Sequence, residues 1–473
     1  MTISTFARQL FVAGSPQLAA LSVGAAVSFP SVLLQQFSSN DSSIHLELDT
    51  ASWIGSIHGL AGIPSIMMPA IMQWKGRKFA FISACLVSII GWVLAYAANN
   101  SLTVLISESF HGLGNNSLLA VSLLSISEMV SPKFRSVSMV SFHVVQSFGM
   151  ALVAILGRYL HWKTVSWIMC LPVLVALLMG LMWPESPSWL AYKGRFEKCE
   201  QAFVWLRGTD EFSKKELHEL ISSQKENMKL DKNHTSGFKL QTLLRRDFYL
   251  PSLHMFVLLC LTYWSGVLVI LIYSVEMIQR ATRNENAAFF GSILMNSIMF
   301  VCVGTSAVLI KRFSNKSVLL LSIICTVVSL LCFSVVNYIQ SIEMISKDSL
   351  VCLYLLAAYM IASSLGVLPI VFTVAAELMP VKHRGLGGAL YVIFTCILHA
   401  TSLKAAPYLF LYINLWGTLL LYAVNTTICG LIIWKFIPET KGRTLQEIED
   451  YYVHGNFDTK RANNLNQEHI DID

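Results

Sequence analysis

The chain predicts an all-α membrane protein: twelve transmembrane helices in two six-helix repeats. Three observations predict it. Of its 473 residues, 55% are apolar and only 13% charged, and the mean hydropathy is +0.59, which excludes a soluble globular class. Apolar stretches of roughly 20 residues, enough to cross a bilayer core as helices, recur along the whole sequence. Two pairs of motifs also repeat in step. Pro-Glu-Ser-Pro (184–187) and Pro-Glu-Thr-Lys-Gly (438–442) each follow an apolar stretch. Ser-Glu-Met-Val-Ser-Pro-Lys-Phe-Arg (127–135) and Ala-Glu-Leu-Met-Pro-Val-Lys-His-Arg (376–384) share one acid–base spacing, Glu128 to Arg135 and Glu377 to Arg384. A repeat of this kind is the mark of a duplicated chain.

The spans are expected near 15–37, 52–73, 78–98, 102–127, 136–157 and 164–183, then 251–278, 287–310, 317–339, 350–378, 386–411 and 414–437. The organisation that follows is an N-terminal half (1–183), a cytosolic helical linker (184–250), a C-terminal half (251–437) and a cytosolic tail (438–473). A cleavable signal peptide is not expected, because the first span lacks a short apolar core followed by a small-residue cleavage site. In the linker, Ser213 and Glu216 read as a capping box ahead of Leu217, Leu220 and Ile221, and Trp189, Leu190, Phe196, Phe203 and Leu206 suggest a further amphipathic helix.

Basic residues fix an expected orientation. Lys75, Arg77, Lys78, Lys133, Arg135, Lys311, Arg312, Lys316, Lys382 and Arg384 fall in one set of short loops, against Arg158, Lys163, Arg280, Arg283 and Lys347 in the other. The positive-inside rule puts both termini and the linker in the cytosol of a multi-pass plasma-membrane protein. Asn40-Asp41-Ser42, in the acidic 38–51 loop, is then a glycosylation sequon on the far side, and Asn99-Asn100-Ser101 is a second. The net charge of +6 arises in these loops and is no nucleic-acid signature. The ten cysteines show no metal spacing and read as small buried hydrophobes.

With the two proline motifs after spans 6 and 12 and the repeated Glu-x6-Arg, the chain resembles the sugar-porter branch of the major facilitator superfamily from about residue 17 to 450. Ser52-Trp53-Ile54-Gly55-Ser56 is similar to the opening of span 2 in the insect facilitated trehalose transporter group. The resemblance implies alternating access, two halves rocking about a midplane site. It also implies that Glu128, Arg135, Glu185, Glu377, Arg384 and Glu439 form an inner gate bridging the halves when that side is shut. Simple snorkelling and topology anchoring would account for the same charges.

The sequence departs from the family in its sugar contacts. Thr262-Tyr263-Trp264-Ser265-Gly266-Val267-Leu268 stands where span 7 usually reads Gln-Gln-Leu-Ser-Gly-x-Asn, Phe372 takes a tryptophan position of span 10, and Thr395-Cys396 replaces Asn-Trp in span 11. Glu108 takes the place of the usual span 4 arginine, and the loops after spans 2 and 8 keep only part of their motif, with Lys311 in place of an acid. By resemblance the substrate site maps to His143, Thr262, Tyr263, Phe372 and Thr395.

The residues themselves add polar stripes at membrane depth, where polar groups are costly and must face protein or a hydrated path. They are Glu108, His111, Asn115 and Ser122 in span 4; His143, Gln146 and Ser147 in span 5; Thr262, Ser265, Tyr273 and Glu276 in span 7; and Thr395, His399 and Ser402 in span 11. Interhelical hydrogen bonding is the plain alternative for any one stripe. The expected activity is facilitated transport of a sugar, trehalose or a hexose among them. Alternatives are another small polar solute, proton-coupled sugar symport, and a non-transporting nutrient receptor. Span 1 carries no acid near 22–29 and no phosphate-binding loop is present, which favours facilitated diffusion. No enzyme activity, metal or cofactor is expected; the partners are the small solute and the lipid bilayer.

Overall fold

A computed structural model describes residues 3–38, 44, 47–230, 246–344, 349–378, 384–441, 448 and 451–452. Twelve helical spans run through it. The first six are Ile3–Phe37 (span 1), Leu48–Ala61 with Ile63–Met67 and Met68–Lys75 (span 2), Arg77–Ala97 (span 3), Ser101–Met129 (span 4), Pro132–Tyr159 (span 5) and Trp162–Leu181 (span 6). The second six are Arg246–Trp264 with Val267–Thr282 (span 7), Glu285–Arg312 (span 8), Asn315–Ser341 (span 9), Val351–Ala362 with Ser363–Val367 and Leu368–Glu377 (span 10), Arg384–Tyr412 (span 11) and Asn414–Phe436 (span 12). Eleven are long and apolar enough to cross a membrane. Span 4 is the twelfth, its 29 residues diluted by buried Glu108, His111, Asn115 and several serines.

Three spans are broken where continuous helices were expected, and each break has a local cause. Span 2 tightens into a 3-10 turn at Ile63–Met67, where Pro64 and then Pro69 remove backbone donors. Span 7 breaks at Ser265–Gly266; Gly266 is left-handed (φ 93°) and lies against the Tyr422 ring, so a side chain there is excluded twice over. Span 10 widens into a π turn over Ser363–Val367, just ahead of Pro369. Ser322 of span 9 covers the disturbed backbone, donating to the Ala362 carbonyl at 2.6 Å and accepting from the Val367 N–H at 3.1 Å. Backbone irregularity inside a bilayer survives only with such replacement partners.

One apolar core joins spans 1–6 around Phe29, Phe81 and Trp92. Two further cores lie among spans 7–12, around Tyr359 and Tyr422 and around Leu258 and Val371. Short helices Pro187–Tyr192, Phe196–Arg207 and Glu211–Leu230 pack around Trp189, Cys199 and Phe203 at one end of the bundle, here called the linker face. They dock on the first turns of span 1, which begins at Ile3 rather than near 15. Arg8 and Gln9 donate to the carbonyls of Trp205 and Leu206, each at 3.2 Å. Burial pushes the Cys199 thiol up to about 11, leaving it an inert packing group. The capping-box expectation is corrected: the helix starts at Glu211, the Ser213 hydroxyl bonds Asp210 at 2.9 Å, and Glu216 pairs with Arg207 instead of reaching back.

Candidate functional site: a closed face, a buried polar path and a charged face

The two sets of six spans touch at the face opposite the linker. Asp49 at the start of span 2 accepts hydrogen bonds from Lys404 (2.6 Å) and Tyr408 (2.9 Å) of span 11. The Lys404 ammonium lies 4.0 Å from the centre of the Trp53 ring, a cation–π contact. Arg158 of span 5 stacks over Phe289 of span 8 at 4.3 Å, and Ser28 of span 1 bonds Asn296 of span 8 at 3.2 Å. Deeper in, spans 2 and 11 cross so closely that a Cβ on Gly59 would stand 2.8 Å from the Ala400 nitrogen. Glycine permits that approach, as small residues do at membrane helix crossings.

At that crossing a polar path begins. Glu108 is fully buried, and His111 and His58 flank its carboxylate at 3.3 and 3.7 Å. His58 also meets Asn115 at 3.2 Å. The His58 ring lies 5.8 Å from that of His399 on span 11, and His399 stacks on Tyr263 at 5.5 Å. The span 4 stripe expected from sequence is therefore interior, all four of its members buried.

Four of the five expected substrate residues lie together in spans 7, 10 and 11. Tyr263 is buried beside His399. Thr395 lies beside the hydroxyls of Tyr263 and Tyr391, its own Oγ1 enclosed without a hydrogen bond of good geometry. Phe372 is half-buried against both C-terminal cores. Thr262 is fully buried, and its hydroxyl donates back to the Leu258 carbonyl at 3.4 Å, within its own helix. His143 stands apart on span 5, exposed, with Gln146 at 3.4 Å and Phe142 as its contacts. Glu276 forms an ion pair with Arg280 at 2.7 Å and is no part of this group.

The expected gate residues lie at the linker face. Glu185 accepts from the N–H groups of Arg77 (2.8 Å) and Lys78 (3.2 Å), capping the start of span 3. Gly76, at φ 101°, makes room, since any side chain there would overlap that carboxylate. The Arg77 guanidinium grips Glu128 as a fork, at 2.7 and 2.9 Å, and Ser186 adds a bond to Glu128 at 2.5 Å. Glu439 accepts from the Lys316 N–H at 3.0 Å at the start of span 9. Glu377 closes span 10 with Oε2 unpartnered among the described residues, as is Nε of Arg135. Arg384 opens span 11, but its side chain lies outside the described residues, as do Asn40 and the tail beyond 452.

An apolar groove of about 400 Å³ lies between Phe248, Phe256, Leu390 and Phe394; of the hydroxyls of Ser252 and Tyr249 that line it, that of Ser252 donates to its own helix. Among the described residues no cluster of three or more His, Cys, Asp or Glu side chains could hold a metal ion. Sequence reasoning missed His58 and the bridge from Asp49 to Lys404 and Tyr408. The signal for His58 was present, a lone histidine within an apolar run; the bridge joins residues too distant in sequence to signal anything.

Twelve spans in two sets of six, closed at one face over a buried polar path, define a multi-pass membrane protein with a secondary-transporter fold. The profile of the family described as "Sugar (and other) transporter" matches residues 20–452, and the chain belongs to that family. It is 27% identical to the facilitated trehalose transporter Tret1 of Apis mellifera ligustica over 94% of this chain and 88% of the bee protein. It is 28% identical to Tret1 of Drosophila grimshawi over 93% of this chain, which spans only 47% of that longer protein. The inward-open xylose transporter XylE from E. coli shares the fold, with a TM-score of 0.72 over 94% of this chain and 99% of XylE at 16% identity.

Proposed function

We propose that the chain moves a sugar, trehalose or a hexose first among the candidates, across the plasma membrane by alternating access and down the solute's gradient. The observation that carries this is a bridge between the halves at one face with no matching bridge of charged groups at the other among the described residues. Spans 2 and 11 meet across the halves at one face through Asp49, Lys404 and Tyr408, and spans 5 and 8 through Arg158 and Phe289, whereas at the other Glu128 and Glu185 bond Arg77 of the first six spans and Glu439 bonds Lys316 of the second six. A carrier that faces each side in turn must have both arrangements available. The loop charges support a cytosolic linker face and cytosolic termini, with Asn40 on the glycosylated side. The halves are taken as residues 1–183 and 251–437, with 184–250 and 438–473 cytosolic.

His143, Thr262, Tyr263, Phe372 and Thr395 are the proposed substrate contacts. Hydrogen bonds come from His143 and Thr395, and an apolar platform for the sugar ring from Tyr263 or Phe372. The Thr262 hydroxyl is committed to its own helix. That favours, as a second reading, a polar solute with fewer hydroxyls to satisfy. Uptake of labelled trehalose, glucose, polyols and organic ions into transporter-deficient cells tests both. Uptake of trehalose or glucose above the empty-vector rate is expected; verified surface expression with no sugar uptake overturns the sugar reading, and uptake of another solute alone establishes the second.

A further inference from the structure

We propose that His58, Glu108 and Asn115 form a proton-binding site, and that its occupancy sets how firmly spans 2 and 11 close at the face opposite the linker. The site is built from side chains buried to 96% or more: Glu108 is 0% exposed, and His58 and Asn115 are each 4% exposed. A carboxylate in such a position is tolerated only when charge or hydrogen bonds compensate it. Its histidine neighbours leave that compensation incomplete. His111 Nδ1 lies 3.3 Å from one carboxylate oxygen, but the other, Oε2, lacks a hydrogen bond, with His58 Nδ1 at 3.7 Å. The Asn115 carbonyl oxygen is likewise unpartnered, while its amide nitrogen faces His58 Nε2 at 3.2 Å and the Val23 carbonyl at 3.4 Å.

On this proposal, these contacts belong to the proton-free state. With Nδ1–H turned to Glu108, neutral His58 accepts at Nε2 from the Asn115 amide. Binding transfers a proton from hydronium to the Nε2 lone pair, leaving water; one O–H bond breaks and one N–H bond forms. The Asn115 amide then turns about its terminal bond, so that its orphaned oxygen accepts from the new N–H and its nitrogen leaves Val23. His58 becomes an imidazolium held between Glu108 and Asn115, and the buried charge is neutralised. Histidine is the side chain whose ordinary charge change falls between pH 5 and 8.

The link to the gate is position. His58 precedes Gly59, which lies against the Ala400 and Cys396 backbone of span 11, and its ring faces that of His399. A cation on His58 is drawn both to Glu108 and to the neutral His399 ring, and only the closed crossing supplies the second contact. Proton binding therefore favours closure. The other titratable groups around the site are Tyr263 and Tyr273 of span 7 and Cys396 and Lys404 of span 11. Lys404 is engaged by Asp49, and spans 1 and 3 bring the uncharged Ser22 and Trp92. Span 5 contributes His143, whose contacts are Gln146 and Phe142. No fixed cation faces Glu108 among the described residues.

The proposal rests on the transport reading only for the use made of the gate, so its test needs no substrate. Spin labels at Tyr159→Cys and Tyr412→Cys, two exposed sites on either side of that face, would report the opening in nanodiscs, with exposed Cys325 and Cys332 replaced by Ala. The short-distance population should rise between pH 8 and pH 5.5, by about tenfold in its ratio to the long one if the two states differ by one pH unit in proton affinity. Glu108→Gln and His58→Gln should each abolish that rise. A wild-type protein without the rise, or either folded variant retaining it in full, overturns the proposal. Failure of sugar uptake would overturn the substrate reading and leave this one standing.

Discussion

The two halves carry the same fittings at the linker face but wire them differently. In each, the glutamate of a proline motif caps the third span of its set of six: Glu185 on span 3 and Glu439 on span 9. In each, the lysine of the capped turn returns the contact to the end of the motif's own span, Lys78 to the Leu181 and Trp183 carbonyls and Lys316 to that of Ile437. One difference bears on the acid of the Glu-x6-Arg motif. Arg77 clamps Glu128 in a two-bonded fork, whereas Asn315 occupies the matching place and Glu377 keeps an oxygen unpartnered among the described residues. The first half is latched onto itself. The second leaves its carboxylate open to a cation from the other half, and Arg135, with its own Nε unpartnered, stands on that half. The repeat thus carries two related arrangements: one closed by Arg77, the other with Asn315 at the matching place and Glu377 Oε2 unpartnered among the described residues.

The largest expected effect breaks this asymmetry directly. Arg77→Ala should strand Glu128 in a half-buried setting, where a hydrogen bond to a charged group contributes about 1.5–3 kcal/mol. Thermal unfolding of the detergent-solubilised protein should fall by several degrees. Glu377→Ala, at the matching place, should move unfolding little but slow transport. Equal losses of stability in the two variants would mean that the latches are alike.

The caps come next. Glu185→Ala and Glu439→Ala should each cost about 0.5–2 kcal/mol, the range of a lost helix cap. Glu185 should be the costlier, because it accepts from Arg77, Lys78 and Ser186, and Glu439 from Lys316 and Lys441. Denaturant midpoints measured on the two variants decide the order; a costlier Glu439 would reverse it.

Asn315→Arg sharpens the comparison from the other side. Supplying the missing fork should tie Glu377 into its own half and raise thermal stability modestly. Transport should fall at unchanged surface expression, because the carboxylate is withdrawn from the other half. Faster transport would show that Glu377 takes no part in closing this face.

How much of this was legible in the sequence follows from the range of each interaction. The bilayer forces every span to be a helix of bilayer length, so long apolar stretches located the spans, span 4 among them although buried polar groups lower its hydropathy, and the motif repeat paired them. The interruptions were less legible. Gly266 and Pro369 announce breaks, but the π turn of span 10 persists because Ser322 of another span satisfies it. The Glu108 stripe was visible as a helical face, yet His58 arrives from span 2 and His399 from span 11. Such pairings are set by packing, and no spacing within one span encodes them. The start of the helix at Glu211 was misread for a related reason, since Glu216 found a stronger partner in Arg207 than its own helix end.

The smallest expected effect asks whether the same division between halves extends to the solute. Four of the five proposed contacts come from the C-terminal half and one, His143, from the other. A site of that kind should hold its solute mainly through spans 7, 10 and 11, with His143 adding a contact as the halves approach. Losing one hydrogen bond costs about 0.5–1.5 kcal/mol, a factor of roughly two to twelve in half-saturation. His143→Ala should fall at the low end of that range, because the side chain is exposed and water can replace its bond. Phe372→Ala removes a half-buried ring that packs against both C-terminal cores, so it should raise the half-saturation concentration of whichever solute is carried at least as far. Surface expression must stay constant for the comparison to be read. If neither variant changes half-saturation, the solute does not use these positions, and the polar path from Glu108 to Tyr263 becomes the region to probe instead.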